Sequence, residues 1–209
     1  MKLYQMGLAP NPRRLNMFLA EKGIEVPKIE IDTRKREQFG EDFTRINPMR
    51  QIPALELDDG MVLTESVAIC HYFEGLHPEP NLLGKTPLEV ATIMMWERRM
   101  EQHGLMPVAD AFRNGNPFYE GHAVSGGEPL PQIPELAERG LVRIDQFYQR
   151  LDGFLDGREW LAADRLTLAD ITGFVAADFA KVVGKKPPEN LENLQRWYQA
   201  IRSRPSARA

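Results

Sequence analysis

The sequence predicts an α/β domain built on a mixed four-stranded sheet, followed by an all-helical domain. Three observations carry this. Residues 2–31 read strand, helix, strand. Residues 47–66 read strand, tight turn, strand, helix start. Past a proline-rich stretch near residue 80 no strand pattern is convincing, and apolar residues recur at helical spacing. The domain limits that follow are 1–77 and 87–209, with 78–86 as linker.

Lys2 to Gln5 is a short strand. In the loop Gly7-Leu8-Ala9-Pro10-Asn11-Pro12, Asn11 suits an N-cap with Pro12 at the first helical position. The helix turns Leu15, Phe18 and Leu19 inward and ends at Gly23, in the C′ position. Lys28 to Ile31 alternates as a second strand. Phe39 to Ile46 holds a short helix, which Asn47-Pro48 breaks. A strand–helix–strand unit requires a parallel pair with a right-handed crossover. Pro53 then opens a strand, Ala54 to Leu57; Asp58-Asp59-Gly60 forms a hairpin turn; Met61 to Leu63 returns antiparallel. Thr64-Glu65-Ser66 begins a helix with Ile69, Tyr72, Phe73 and Leu76 on one face.

His77-Pro78-Glu79-Pro80-Asn81 reads as linker. Thr86-Pro87-Leu88-Glu89 starts a helix that runs toward Arg113, bent or ended by Pro107. Residues 114–134, rich in Gly and Pro, form a loop. A long helix follows, with Ile144, Phe147, Tyr148, Leu151 and Leu155 inward and Gly157 closing it. Thr167 and Asp170 form a capping box, with Leu166 and Ile171 as its staple, and the helix behind is apolar on most sides. Its role is structural. A last helix carries Leu191, Leu194, Tyr198 and Ile201; Arg204-Pro205 ends it, and the tail is expected to fray.

A 209-residue chain with 43% hydrophobic and 27% charged residues can bury a core. Its net charge of −4 argues against a nucleic acid or an anionic membrane as partner. No segment reaches the ~18 apolar residues of a span, and the N-terminus lacks a secretory signal. Cys70, the only cysteine, permits neither an intrachain disulfide nor a Cys-x-x-Cys pair; it suits a buried inert thiol in a reducing cytoplasm. His71, His77, His103 and His122 show no metal-ligand spacing, so no metal is expected. Gly126-Gly127 follows no strand and is no phosphate loop. The Met-rich stretch Met94 to Met106 suits core, dimer interface or an adaptable pocket.

Two features suit chemistry. A cis Ile52-Pro53 bond would turn the Ile52 N–H and C=O outward to pair with an extended peptide; cis is the minority isomer, and the residues leave both open. Glu65-Ser66 stands at a helix N-terminus, where free N–H groups and the dipole favour a carboxylate. Ser66 adds a hydroxyl donor and Glu65 can hold an ammonium, together suiting an α-amino acid head. The same pair can also simply cap the helix.

Gln-Ile-Pro-Ala-Leu, a short hairpin, then Thr-Glu-Ser before an amphipathic helix resembles the glutathione-binding half of the glutathione S-transferase family. The mixed sheet resembles a thioredoxin-like domain, and the buried capping-box helix also resembles the family. The resemblance implies that Ile52, before a cis Pro53, pairs its backbone with the cysteinyl unit of glutathione. Glu65 and Ser66 bind the γ-glutamyl head, and Gln51 reaches toward the glycyl end. It implies a homodimer acting on an electrophilic or peroxide substrate. One departure stands out. Family members carry Tyr, Ser or Cys in the loop after the first strand; similar members have Ser ahead of Pro-Asn-Pro-Arg, and this chain has Ala9. Tyr4 lies too early, inside its strand. Asn11, by side chain or backbone, and the N–H groups at the start of the helix are the remaining donors, and Asn11 serves equally as a plain N-cap. The departure leaves a non-catalytic glutathione- or protein-binding module as the alternative to a transferase. A dithiol oxidoreductase lacks its cysteine pair.

Overall fold

Alternation along β1 (Lys2–Gln5) sends Leu3 and Gln5 into the interior and Tyr4 to the opposite face. In the computed structural model, which describes all 209 residues, β1 is central. It pairs in parallel with β2 (Lys28–Glu30), Leu3 opposite Lys28. It pairs antiparallel with β3 (Ala54–Glu56), Leu3 opposite Leu55. β3 pairs antiparallel with β4 (Val62–Thr64), giving the order β2-β1-β3-β4. The mixed four-stranded sheet is the one expected. Helices α1 (Pro10–Lys22) and α3 (Ser66–Leu76) cover one face, burying Leu15, Phe18, Ile69 and Phe73 against Leu3 and Leu55. On the other face α2 (Glu41–Ile46) packs Phe43 against Ile31, Ala54 and Tyr4.

Helix α1 starts earlier than Asn11 suggests. Pro10 opens it, Ala9 is the N-cap residue, and no side chain caps it. The reason lies in the prolines. Pro10 and Pro12 have no N–H, and the Arg13 N–H donates to the Ala9 carbonyl at 2.9 Å, so few orphan donors need a cap. The Asn11 N–H is left without a partner inside the protein.

All elements after residue 77 are helical: α4 (Pro87–Met100), α5 (Met106–Gly115), α6 (Pro134–Phe154), α7 (Leu168–Phe179) and α8 (Glu192–Arg202). Between α4 and α5, where one bent helix is expected, Glu101–Leu105 forms a π-helical segment. Pro107 cannot donate to the turn before it, and the ladder slips there. Gly104 sits in that segment because no side chain fits: a Cβ would stand 2.7 Å from the Phe147 ring and 3.0 Å from Ala176 Cβ. The expected capping box opens α7. The Thr167 N–H and hydroxyl both donate to Asp170 Oδ2, at 3.0 and 2.8 Å. Asp170 Oδ1 accepts from the Leu161 N–H (2.9 Å) and from Trp197 Nε1 (3.0 Å). Asp170 is fully buried. Its burial pushes the carboxyl pKa up, against the pull of these donors.

The C-terminal tail does not fray. Arg204 forks onto Glu21 of α1 with two bonds of 2.7 Å, the Ser206 hydroxyl donates to the same carboxylate, and Ala207 is buried. These contacts tie the last residues to the first helix, 183 positions away. No helix is long and apolar enough to cross a membrane.

Candidate functional site

The site begins with a buried asparagine. Asn47 Oδ1 accepts from the Met49 N–H (3.0 Å), and Asn47 Nδ2 donates to the Gln51 carbonyl (2.7 Å). This Asx turn holds the loop from both ends. The next residue, Ile52, has neither its N–H nor its C=O paired within the protein, and the Ile52-Pro53 bond is cis. The hairpin then aligns Thr64 with Ala54, which brings Glu65 and Ser66 alongside Pro53.

Glu65 adopts φ 62°, ψ 112°, a left-handed-side conformation that costs a non-glycine residue about 1–3 kcal/mol. Neither Glu65 nor Ser66 makes a side-chain cap on α3, and the Glu65 carboxylate has no ion pair in the chain. Plain capping therefore does not explain the pair. Ser66 is buried and its Oγ accepts twice from Arg14, from Nη2 at 2.7 Å and Nε at 3.1 Å. A hydroxyl has two acceptor positions and one proton. With both lone pairs taken, the Ser66 O–H is the group left over, and it has no protein acceptor.

Asn11 stands across from these groups. Its Oδ1 accepts from Arg14 Nη2 at 3.0 Å, so Nδ2 is turned away from that bond and is unpartnered, as is the backbone N–H. Asn11, Gln51, Ile52, Pro53, Glu65 and Ser66 line one cleft, with Asn47, Met49 and Thr64 completing its wall. All six residues singled out in the sequence thus meet around a single space. Tyr4 does not join them: its hydroxyl donates to Glu56 at 2.7 Å, and burial, then that bond, push its pKa up to about 12. Cys70 is fully buried, and burial pushes its thiol pKa well above the ordinary range. No group of three or more His, Cys, Asp or Glu side chains could hold a metal ion.

The residue the sequence reading missed is Arg14. Its side chain is 3% exposed. Besides Ser66 and Asn11 it donates to Glu101 at 2.8 Å and Glu97 at 3.1 Å. One cation thus serves two carboxylates from the helical half and two polar groups of the cleft. Burial pushes Glu97 up to about 7, helped by the neighbouring Glu101 charge and opposed by Arg14. Burial works against ionisation of Glu101 as well, yet the charge and hydrogen bond of Arg14 hold it below the usual carboxylate range. The Pro-Arg-Arg run marks a basic start to α1, but nothing local says which arginine turns inward. The sequence also does not show where the expected loop after α5 docks: its Ser125 carbonyl accepts from Gln51 Nε2 at 2.9 Å.

Residues 9–76 match the family description "Glutathione S-transferase, N-terminal domain", and residues 115–205 match "Glutathione S-transferase, C-terminal domain". The chain is 34% identical to Glutathione S-transferase 2 of Saccharomyces cerevisiae, over 100% of this chain and 88% of that protein. Its fold superposes on the crystal structure of Gtt2 from Saccharomyces cerevisiae with a TM-score of 0.91 at 33% identity, covering 100% and 99% of the two chains. A glutathione S-transferase domain-containing protein from Marinobacter aquaeolei also superposes at 0.91, with 31% identity and coverage of 99% and 100%.

Proposed function

This chain belongs to the glutathione S-transferase family, and from that premise we propose that it binds glutathione in the cleft and conjugates it, through its thiolate, to an electrophile. The Glu65 carboxylate takes the γ-glutamyl ammonium, and the Ser66 hydroxyl donates to the adjoining carboxylate. Ile52 pairs its N–H and C=O with the cysteinyl backbone, on the side walled by Pro53. Gln51 stands toward the glycyl end. The observation that carries this reading is the unpartnered Ile52 backbone within one cleft with the free Glu65 carboxylate and the free Ser66 proton.

The chemistry is attack by the thiolate on an electrophilic carbon: the S–C bond forms, and a leaving group departs with the electron pair or an activated double bond accepts it. Attack on a peroxide oxygen is the other reaction open to the same nucleophile. A free thiol of pKa ~8.5 is only a few per cent ionised at pH 7. Lowering it by two units takes about 2.7 kcal/mol. Asn11 offers two donors, Nδ2 and the backbone N–H, at the positive end of α1. A neutral donor contributes ~1 kcal/mol and the helix terminus a similar amount, so the shift is modest and conjugation slow. Ala9 stands where a hydroxyl or thiol side chain would act, which favours a second reading, a glutathione-binding module without turnover. Retention on immobilised glutathione followed by a thiol-conjugation assay separates the two. Failure to be retained refutes both.

The same reading includes a symmetric homodimer, supported by Met94 and Met95 of α4, which stand 48% and 42% exposed with nothing over them. A single, buried cysteine suits a reducing cytoplasm.

A further inference from the structure

Beyond Arg14 lies a second cavity, of about 240 Å³, between α3, α4 and the start of α7. Val67 and His71, then Ile93, Met94 and Glu97, then Leu168 line it. None of these residues lines the cleft, and no cleft residue lines this cavity. Arg14 joins the two. Its Nη2 donates to Ser66 at 2.7 Å and to Asn11 at 3.0 Å; its Nη1 donates to Glu101 at 2.8 Å and to Glu97 at 3.1 Å.

Glu97 is 2% exposed and is hydrogen-bonded to Glu101. Two carboxyl groups bond to each other only with a proton on one of them. Arg14 keeps Glu101 ionised, so the proton sits on Glu97. Arg14, Glu101 and protonated Glu97 together are neutral. Loss of that proton leaves a net negative charge on a buried group, which is costly. The other groups around Glu97 do not offset it. Arg98, on the same helix, stands 3.6 Å from Glu101 and is half-exposed, so solvent screens it. From α3 come Cys70, a fully buried thiol kept neutral by its burial, and the exposed His71. From α7 comes Thr172, an uncharged hydroxyl 3.5 Å from Arg14 Nη1. A ligand carboxylate on the Ser66 hydroxyl stands one hydrogen bond from the same arginine, and it competes with ionised Glu97 for that charge.

We propose that Glu97 is a proton-linked control on the cleft: the γ-glutamyl head binds tightly at Ser66 while Glu97 holds its proton, and weakly once that proton leaves. This rests on the proposed glutathione cleft, with the γ-glutamyl carboxylate at Ser66. By linkage, the bound carboxylate strengthens the hold of Glu97 on its proton, and binding near neutral pH draws a proton in. The α3–α4 cavity gives that proton a way to Glu97 that a ligand in the cleft does not cover.

The test is calorimetric binding of S-methylglutathione, which has no thiol to titrate, at pH 6 and pH 8. No histidine lines the cleft, and Glu65 is the one ionisable side chain in its wall. Wild type should bind at least about threefold more weakly at pH 8 than at pH 6. Glu97→Gln keeps an acceptor for Arg14 and has no proton to lose, so its two affinities should agree within about 1.5-fold. Should that variant not fold, wild type alone decides: at pH 7.5, binding heats in two buffers of different ionisation enthalpy should show uptake of about half a proton. Equal wild-type affinities at the two pH values, no proton uptake, or a folded Glu97→Gln that keeps the wild-type loss would each overturn the proposal while the glutathione cleft stands. If wild type binds S-methylglutathione at neither pH, both fall.

Discussion

Ser66→Ala probes the direction of the cleft and the state of one proton. In the wild type, Ser66 Oγ accepts from Arg14 Nη2 and Nε, so its O–H is the donor available to a ligand carboxylate. Removing one hydrogen bond to a charged acceptor costs about 1.5–3 kcal/mol, roughly ten- to a hundredfold in Kd. The substitution also takes an acceptor from Arg14. That side chain keeps Glu101 at 2.8 Å, Asn11 at 3.0 Å and Glu97 at 3.1 Å, so it stays anchored, and the fold should lose only about 1 kcal/mol. Calorimetry with two ligands separates the effects. One is glutathione; the other carries 4-aminobutanoyl in place of γ-glutamyl and so lacks the α-carboxylate. The variant should lose the full amount with glutathione and almost nothing with the analogue, the coupling expected of a direct contact. Equal losses with both ligands would refute the reasoning: Ser66 would then act only by holding Arg14.

Further outcomes follow from the same geometry. Asn11→Ala should raise the apparent pKa of bound glutathione, read by thiolate absorbance, and slow conjugation about tenfold; an unchanged pKa removes Asn11 from the chemistry, and a wild-type pKa equal to that of free glutathione favours the binding module. The Glu97 carboxyl sits at about 7 in the fold against an ordinary 4.5. The folded state therefore holds that proton more tightly, and Glu97 lowers stability as pH rises from about 4.5 to about 7. Glu101, held low, works in the opposite sense, its stabilisation being lost as pH falls below the ordinary range. Glu97→Gln should flatten the decline between pH 5 and 7 in urea unfolding; a profile parallel to wild type would show that Glu97 does not titrate there. Asp170→Ala strands four buried donors and should destabilise by at least about 3 kcal/mol, a figure that denaturant midpoints can check. Light scattering at micromolar concentration should give about twice the 23.8 kDa chain mass, and a monomer mass rules out the homodimer.

What the sequence reveals of this protein depends on how far each cause lies from its effect. The Gly23 cap, the Asp58-Asp59-Gly60 hairpin and the Thr167–Asp170 box are each decided within about four residues, and each forms where the spacing puts it. The cleft is legible for the same reason: Gln51, Ile52 and Pro53 lie on one side of a hairpin, and Glu65 and Ser66 on the other, so strand register alone brings them together. Arg14 is not legible, because its partners Ser66, Glu97 and Glu101 lie 52, 83 and 87 positions away. Nor are the docked tail on Glu21 and the Ser125 contact with Gln51, whose partners are as distant. The missed elements share a feature. Arg14, Arg204 and Ser125 each join the sheet half to the helical half. The sheet half supplies the recognition groups; from the helical half, Ser125 accepts from Gln51, and Glu97 and Glu101 hold Arg14, which in turn donates to Ser66. A variant that loosens the seam between the halves should therefore weaken ligand binding without touching any ligand-facing residue. Breaking the Glu21–Arg204 pair, by contrast, should cost stability alone, since it lies on the part of α1 remote from Asn11.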